Sequence, residues 1–166
     1  MSSGVPMDLI GVRIELPSNQ PIVLLREQGG TRYLPIWIGA IEATAIAYAL
    51  EGVEHQRPLT HDLFRDTVNA LGSEVDRVVV TELKDNIFFA DLVLRRDDAE
   101  VHVSARPSDA IALAARTKAP LFADAQVLED AGIELEQEPE EDEIERFREF
   151  LEEVSPTDFE ALPPTP

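Results

Sequence analysis

The chain has 166 residues and no cysteine. Disulfides, thiolate metal sites and cysteine nucleophiles are therefore excluded. No apolar run reaches the roughly 18 residues that a membrane-spanning helix needs. Residues 1–6 have neither the basic start nor the apolar centre of a signal peptide. We therefore expect a cytoplasmic protein with no contact to a membrane.

Basic residues are scarce: 14 Lys and Arg stand against 33 Asp and Glu, which gives a net charge of -19. Residues 129–166 hold 15 of the acids and only 2 arginines, whereas residues 1–128 hold 18 acids and 12 basic residues. The sequence has no cluster of Lys and Arg of the kind that binds the phosphates of nucleic acids. Any contact with nucleic acid is therefore expected to be local, salt-sensitive, and helped by a metal ion or a neighbouring subunit.

Common catalytic signatures are missing as well. The sequence contains no phosphate loop of the Walker type, no G-x-G-x-x-G fingerprint, no H-E-x-x-H zinc motif and no nucleophile elbow. The remaining candidates for chemistry are acids, histidines and an arginine at the ends of predicted secondary-structure elements.

A strand-strand-strand-helix pattern is predicted twice along the chain. Alternating or continuous apolar runs bounded by turn residues predict the strands, and alanine-rich segments that begin with a carboxylate predict the helices. The predicted elements are strands at 7–16, 22–25 and 33–38 with a helix at 41–51, and strands at 75–83, 87–94 and 100–104 with a helix at 107–117. The two helices match when Asp109 is aligned with Glu42, so we predict a duplicated unit.

The remaining segments complete the prediction of an α+β fold, with a mixed, mostly antiparallel sheet and helices packed on it. Between the halves, residues 60–71 are predicted to form an amphipathic helix. Its apolar face consists of Leu63, Phe64, Val68 and Leu71. A short strand after Pro120 and a helix at 125–131 are predicted to close the domain.

Composition divides the chain into three parts. Residues 1–6 are predicted to be a flexible N-terminus, residues 7–133 a single domain, and residues 134–166 an acidic tail. Within the tail, residues 143–154 carry apolar side chains at helical spacing, which predicts a short amphipathic helix. That helix either docks on the domain or on a partner protein, or forms only transiently in a solvated tail.

Three acids, Glu42, Asp62 and Asp109, lie in the first turns of predicted helices. A carboxylate there gains about 0.3–1 kcal/mol from the helix dipole without any further role, so a purely structural interpretation is open for each of them. If the helix starts converge, the three carboxylates can hold Mg²⁺ or Mn²⁺ through oxygen ligands. Arg106 would then bind phosphate oxygens, and His61 would orient or deprotonate a water molecule.

Three ordered blocks of sequence give the chain a resemblance to a known family. They are residues 34–39 followed by Glu42 and Ala43, residues 57–63, and residues 105–114, which read LPIWIG, RPLTHDL and ARPSDAIALA. In these blocks the chain resembles the bifunctional nuclease (BFN) domain family, in particular its actinobacterial-type members, over about residues 8–132. The resemblance implies an α+β fold, a homo-oligomer, and nuclease activity on DNA and RNA. The chain departs from the expected pattern at Ser104, where an acid is expected two residues before Arg106.

Two functions of different class follow. The first is a metal-dependent nuclease that hydrolyses phosphodiester bonds of DNA or RNA with metal-activated water. In that case the three first-turn acids are metal ligands, and His61 and Arg106 are catalytic. The second is a non-catalytic interaction or regulatory module, in which the same residues are helix caps and packing. The acidic tail would then be the surface that contacts a protein partner.

Overall fold

The computed structural model describes residues 4–135, which form one sheet with helices packed on it. Its elements, in chain order, are β1 (Val5–Glu15), β2 (Gln20–Glu27), β3 (Arg32–Trp37), α1 (Ala40–Glu51), α2 (Thr60–Ala70), β4 (Glu74–Lys84), β5 (Ile87–Arg96), β6 (Ala99–Ala105), α3 (Pro107–Thr117), β7 (Leu121–Ala123), α4 (Ala125–Ala131) and β8 (Ile133–Glu134). The predicted α+β fold with a mixed, mostly antiparallel sheet is therefore confirmed.

The strands of the sheet follow the order β6-β5-β4-β7-β1-β2-β3-β8. β1, β2 and β3 form one antiparallel meander, and β4, β5 and β6 form another. The short strand β7 lies between them, antiparallel to β1 and parallel to β4. The two meanders therefore run in opposite directions on either side of β7. Each is followed directly by an alanine-rich helix, so the predicted strand-strand-strand-helix order occurs in both halves.

Alanine allows the helices α1 and α3 to approach each other closely. Ala43 and Ala47 of α1 and Ala110 and Ala114 of α3 are at most 5% exposed, and they belong to the same core as the strands beneath. Small side chains at a crossing shorten the distance between helix axes. Besides α1, α3 contacts α2, β4 and β5, so it is the central helix of this layer.

Local sequence sets where these helices begin and end. Pro107 occupies the first turn of α3, where its missing N–H costs no hydrogen bond. α1 ends at Gly52, whose φ of 67° lies in the left-handed region that glycine reaches at little cost. The N–H groups of Gly52 and Val53 donate back to the carbonyl oxygens of Ala49 and Tyr48. The chain therefore turns sharply at the end of α1 before it enters the segment that precedes α2.

The sheet extends further than predicted at both ends of the described chain. Residues 5 and 6 pair with β7, so the flexible segment predicted over residues 1–6 is wrong for these two. Glu134 pairs with β3 within β8, although we predicted it as the first residue of the tail. The amphipathic helix predicted at 143–154 lies outside the described residues. Among the helices between residues 4 and 135, none combines the length and apolar character that a membrane crossing requires.

Helix α2 packs differently from the prediction. Of its apolar face only Val68 is buried, while Leu63, Phe64 and Leu71 are 57%, 39% and 66% exposed. The physical reason is its position at the margin of the helix layer, where it packs mainly on α3 and to a lesser extent on β4. The amphipathic pattern is real, but the sheet does not cover most of the apolar face.

Candidate functional site

A cleft of about 1350 Å³ opens where the N-terminal ends of three helices meet. Its walls come from α1, the loop before α2, the first turns of α2 and α3, and the adjoining parts of β5 and β6. Helix N-termini carry partial positive charge from their unpaired N–H groups. The three helix starts in which we predicted acids therefore border one concave surface.

Four of the five predicted site residues form a continuous polar series at this cleft. The Nε2 atom of His61 lies 2.9 Å from Oδ1 of Asp109. Arg106 donates from Nε to Oδ2 of Asp109 at 2.8 Å, and from Nη2 to Oε1 of Glu42 at 3.0 Å. His61 and Asp109 are 48 positions apart, and Glu42 and Arg106 are 64 positions apart. The fold therefore brings together residues from three helix starts.

The start of α3 positions two members of the series. Arg106 is the N-cap residue of α3, and Asp109 follows three positions later in the first turn. Side chains three positions apart at a helix start lie on the same side, which allows the two to pair. The side chain of Arg106 is 66% exposed, whereas those of Asp109 and His61 are 29% and 12% exposed. The guanidinium is therefore the accessible member, and the carboxylate and imidazole lie deeper.

The polar series carries a negative net charge. The hydrogen bond with Asp109, aided by the charge of Glu42, raises the pKa of Arg106 above its ordinary value, so this side chain stays cationic. Asp109 uses one oxygen for Arg106 and the other for His61. We assign the proton of a neutral His61 to Nε2 because a carboxylate only accepts, which leaves Nδ1 as the basic nitrogen. The two carboxylates and one guanidinium then sum to one negative charge, so a phosphate bound here needs additional positive charge.

Asp62 is the predicted site residue that lies outside this series. Its carboxylate accepts hydrogen bonds from Nε of Arg116 at 2.7 Å and from the backbone N–H of Leu59 at 3.0 Å. Burial opposes the ionisation of Asp62, but the hydrogen bonds from Arg116 and Leu59 outweigh it and hold its pKa below the ordinary value. The side chain of Arg116 is only 5% exposed, so this pair ties α2 to α3.

The predicted set of three carboxylate ligands is therefore not assembled. Within residues 4–135, no group of three or more His, Asp or Glu side chains is arranged to hold a metal ion. Glu42 and Asp109 remain as a pair bridged by Arg106. Mg²⁺ usually binds proteins through one or two carboxylates and completes its shell with water and phosphate oxygens. The described residues therefore do not form a three-carboxylate site.

The aromatic side chains of the cleft are functional candidates that the sequence analysis missed. Tyr48 and His55 both line the cleft, with ring centroids 4.9 Å apart and ring planes at 67°. Phe64, which we had assigned to a packed helix face, contributes a third ring. A signal for Tyr48 exists in the sequence: it lies at helical spacing from Ile41, which also borders the cleft. α1 therefore has two largely apolar sides, one in the core and one along the cleft, and it has few polar residues.

Ser104 lies in the cleft wall at the end of β6 and is exposed. Its cross-strand partner in β5 is Asp91. The carboxylate of Asp91 accepts a hydrogen bond from Nδ1 of His102 at 2.5 Å. This bond, with a further contact to Glu100, raises the pKa of His102 above its ordinary value. The strand beside Ser104 therefore supplies a carboxylate, but it is engaged with His102, which does not line the cleft.

Comparisons with known proteins point to one family. The model of the bifunctional nuclease domain matches residues 23–136. An uncharacterized protein of Mycobacterium tuberculosis is 48% identical over 161 residues, which cover 92% of this chain and 96% of that protein. The protein named bifunctional nuclease 2 in Arabidopsis thaliana is 35% identical over 112 residues, or 64% of this chain and 34% of the plant protein. Its namesake in Oryza sativa subsp. japonica is 30% identical over 115 residues, or 67% of this chain and 35% of that protein. The similarity therefore covers about a third of the plant proteins and nearly all of the mycobacterial one.

Proposed function

Because the chain belongs to the bifunctional nuclease domain family, we propose that it hydrolyses phosphodiester bonds of DNA, RNA or both. The observation that carries this proposal is the series from Glu42 through Arg106 and Asp109 to His61 at the cleft. It places an exposed cation that can bind phosphate beside a carboxylate-bound imidazole. The relatives named bifunctional nuclease support nucleic acid as the substrate class.

In the proposed reaction, the guanidinium of Arg106 donates to the non-bridging oxygens of the scissile phosphate. His61, held by Asp109 at Nε2, takes a proton from a water molecule at Nδ1. The water oxygen forms a bond to phosphorus, and the bond from phosphorus to the leaving ester oxygen breaks. The leaving oxygen takes up a proton from solvent. Asp109 stabilises the imidazolium that forms when His61 is protonated.

The participation of Mg²⁺ or Mn²⁺ stays a prediction, with Glu42 and Asp109 now proposed as ligands and Asp62 left out. When bound, such an ion would add positive charge beside the phosphate and lower the pKa of its own water. A titration with MnCl₂ followed by thermal melting tests this assignment, because a bound ion stabilises the folded state. We expect a saturable rise in Tm that is lost in Glu42→Gln and kept in Asp62→Asn. The reverse pattern would contradict the assignment.

A panel of variants tests the chemistry itself. General acid–base catalysis contributes about 10²–10⁴-fold to rates, so we expect His61→Gln to lower kcat/KM at least 100-fold. Arg106→Met should have a comparable effect because it removes the cation that binds phosphate. His102→Gln, outside the cleft, is the matched control and should cleave like the wild type. The measurement is hydrolysis of fluorophore–quencher DNA and RNA oligonucleotides, and wild-type cleavage by His61→Gln would refute the mechanism.

Exposed apolar surface beside the cleft favours a second, compatible proposal, which is self-association. Ile41 and Leu63 are 67% and 57% exposed, and β6 forms an outer edge of the described sheet. Apolar patches and open sheet edges mark contact sites between proteins. Light scattering after size exclusion should give a mass above the 18.4 kDa of one chain, and Leu63→Ser should lower it. A monomer mass for the wild type would refute this proposal. A protein partner for the acidic tail stays a prediction, because residues 136–166 lie outside the described part.

A further inference from the structure

The walls of the cleft are apolar and aromatic, which is unusual for a site that must accept a polyanion. Phe64 and Leu59 are 39% and 42% exposed and both line it, as do the rings of Tyr48 and His55, which meet edge to face. A phosphate backbone gains nothing from such walls. A nucleobase does, because every base has a π-face that stacks on aromatic side chains.

Positive charge in the cleft is limited to one permanent cation. Among the described residues that line it, Arg106 is the single Lys or Arg, and Glu42 and Asp109 lie on either side of it. The whole chain carries a net charge of -19. A duplex presents one phosphate per about 1.7 Å of helix axis, so it brings many charges to a surface that can pair with very few of them.

Hydroxyl groups add a means of contacting the edge of a base. The side chains of Thr60 and Ser104 line the cleft, and the part of the chain that the structure describes shows no hydrogen bond from either hydroxyl. A hydroxyl can both donate and accept, which suits the mixed edge of a base. The cleft volume of about 1350 Å³ exceeds that of typical small-ligand pockets, so a nucleotide can enter.

We propose that the cleft takes one unpaired base of single-stranded DNA or RNA, stacked on Phe64 and Tyr48, with the adjoining phosphate at Arg106. This inference rests on the proposed nuclease function and deepens it by naming the substrate class. A base inside a duplex is already stacked and paired, and extracting it costs a few kcal/mol. The aromatic walls, and not a basic groove, then supply most of the affinity.

The first experiment compares cleavage of a 12-nucleotide single strand with cleavage of the same strand annealed to its complement. We expect the single strand to react at least ten-fold faster. We also expect log kcat/KM to fall with log [NaCl] with a slope of about -0.7, the value for release of one counterion from a single strand. Faster cleavage of the duplex, or a slope steeper than about -3, would overturn the inference.

The second experiment removes one aromatic wall. Stacking contributes about 1–3 kcal/mol per base, so Phe64→Ala should raise KM by about 5- to 160-fold while kcat changes little. Leu71→Ala, at the more exposed apolar residue that directly follows α2 and does not line the cleft, is the control and should leave KM unchanged. An unchanged KM in Phe64→Ala would overturn the inference. So would a KM that rises with protein concentration, because a second copy would then occupy the cleft.

A binding measurement separates this inference from the nuclease proposal. Fluorescence anisotropy of the labelled single strand and duplex is recorded with the wild-type chain, with and without MnCl₂. If no oligonucleotide is cleaved, the nuclease proposal fails. The inference of an unpaired base in the cleft is still supported if the single strand binds more tightly than the duplex and this binding weakens in Phe64→Ala. Equal binding of single strand and duplex refutes the occupant whether or not cleavage occurs.

Discussion

Asp109 is the residue on which the proposed site depends most, because its carboxylate links the imidazole of His61 to the guanidinium of Arg106. One oxygen holds His61 and the other holds Arg106. Removing this carboxylate takes away the partner that orients the imidazole and leaves the guanidinium held by Glu42. In sequence Asp109 cannot be told apart from Asp62, since each is an acid in a helix first turn. The distinction comes from Arg116, which lies 54 positions from Asp62 and donates a hydrogen bond to its carboxylate.

The first residue-scale prediction concerns Arg106. Arg106→Lys keeps the charge but cannot contact Asp109 and Glu42 from two different nitrogen atoms of a rigid fork. We expect kcat/KM to fall by about 10- to 100-fold, corresponding to roughly 1.4–2.8 kcal/mol of lost transition-state stabilisation. The side chain is 66% exposed, so the melting temperature should hardly change. Activity equal to that of the wild type would show that the fork geometry is not used.

The second residue-scale prediction concerns Asp62. Asp62→Asn should lower the free energy of unfolding by about 2 kcal/mol at pH 7, because Arg116 loses a charged partner while largely buried. The folded-state pKa of Asp62 lies below its ordinary value of 3.8, so its contribution is present above that value and is lost as the pH falls through the folded pKa. The difference from the wild type should therefore shrink in strong acid.

Urea denaturation at pH 7 and at about pH 2.5 measures this difference. Asp66→Asn on the same helix is the control, since Asp66 is about half exposed and its ion pair is with the neighbouring Arg65; it should change stability by less than about 0.5 kcal/mol. If Asp62→Asn left stability unchanged but removed the response to MnCl₂, Asp62 would be a metal ligand after all.

At the scale of elements, the contact between α1 and α3 holds the site in place. The sequence predicts both helices from their alanine-rich runs, and it predicts α2 from its apolar spacing. It does not predict that α3 lies centrally while α2 leaves Phe64 in the cleft. That outcome depends on which neighbours cover each helix, and an apolar side chain at helical spacing looks the same whether it faces a core or a cleft.

The element-scale prediction is an overpacking test at the central helix. Ala110 is fully buried next to Asp109, so Ala110→Leu should cost about 1–3 kcal/mol of folding stability. It should also lower kcat/KM because it displaces the start of α3. Ala70→Leu, at an exposed position of α2, is the matched control and should change neither quantity. Chemical denaturation measures the stability and the cleavage assay measures kcat/KM. If Ala110→Leu were destabilised but kept its kcat/KM, the packing of α3 would not determine the geometry of the site.

At the scale of the whole molecule, the two meanders and their helices were predictable from the repeated element order. The way in which β7 connects the two meanders into one sheet was not predictable. β7 has only three residues, and it pairs with β1 on one side and β4 on the other. A segment this short carries no periodicity, so its place between the halves follows from tertiary packing alone. The meeting of the helix starts at one cleft depends on this connection.

The whole-molecule prediction concerns charge. A net charge of -19 repels itself in the folded state, and salt screens that repulsion over about 10 Å at 0.1 M. We expect the melting temperature to rise by a few degrees between 10 and 200 mM NaCl, roughly the shift that about 1 kcal/mol produces. Cleavage should change in the opposite direction and fall about eight-fold over the same range, as a slope of about -0.7 in log kcat/KM against log [NaCl] requires. A melting temperature that decreases with salt would show that specific ion pairs outweigh the net repulsion.

The most direct test of phosphodiester cleavage at this cleft compares the wild type with Asp109→Asn, purified side by side and assayed across every fraction of the final column. The account predicts that cleavage of a single-stranded oligonucleotide follows the protein peak in the wild type and falls at least 100-fold in Asp109→Asn at equal folded protein. Cleavage of equal size in both preparations would contradict it.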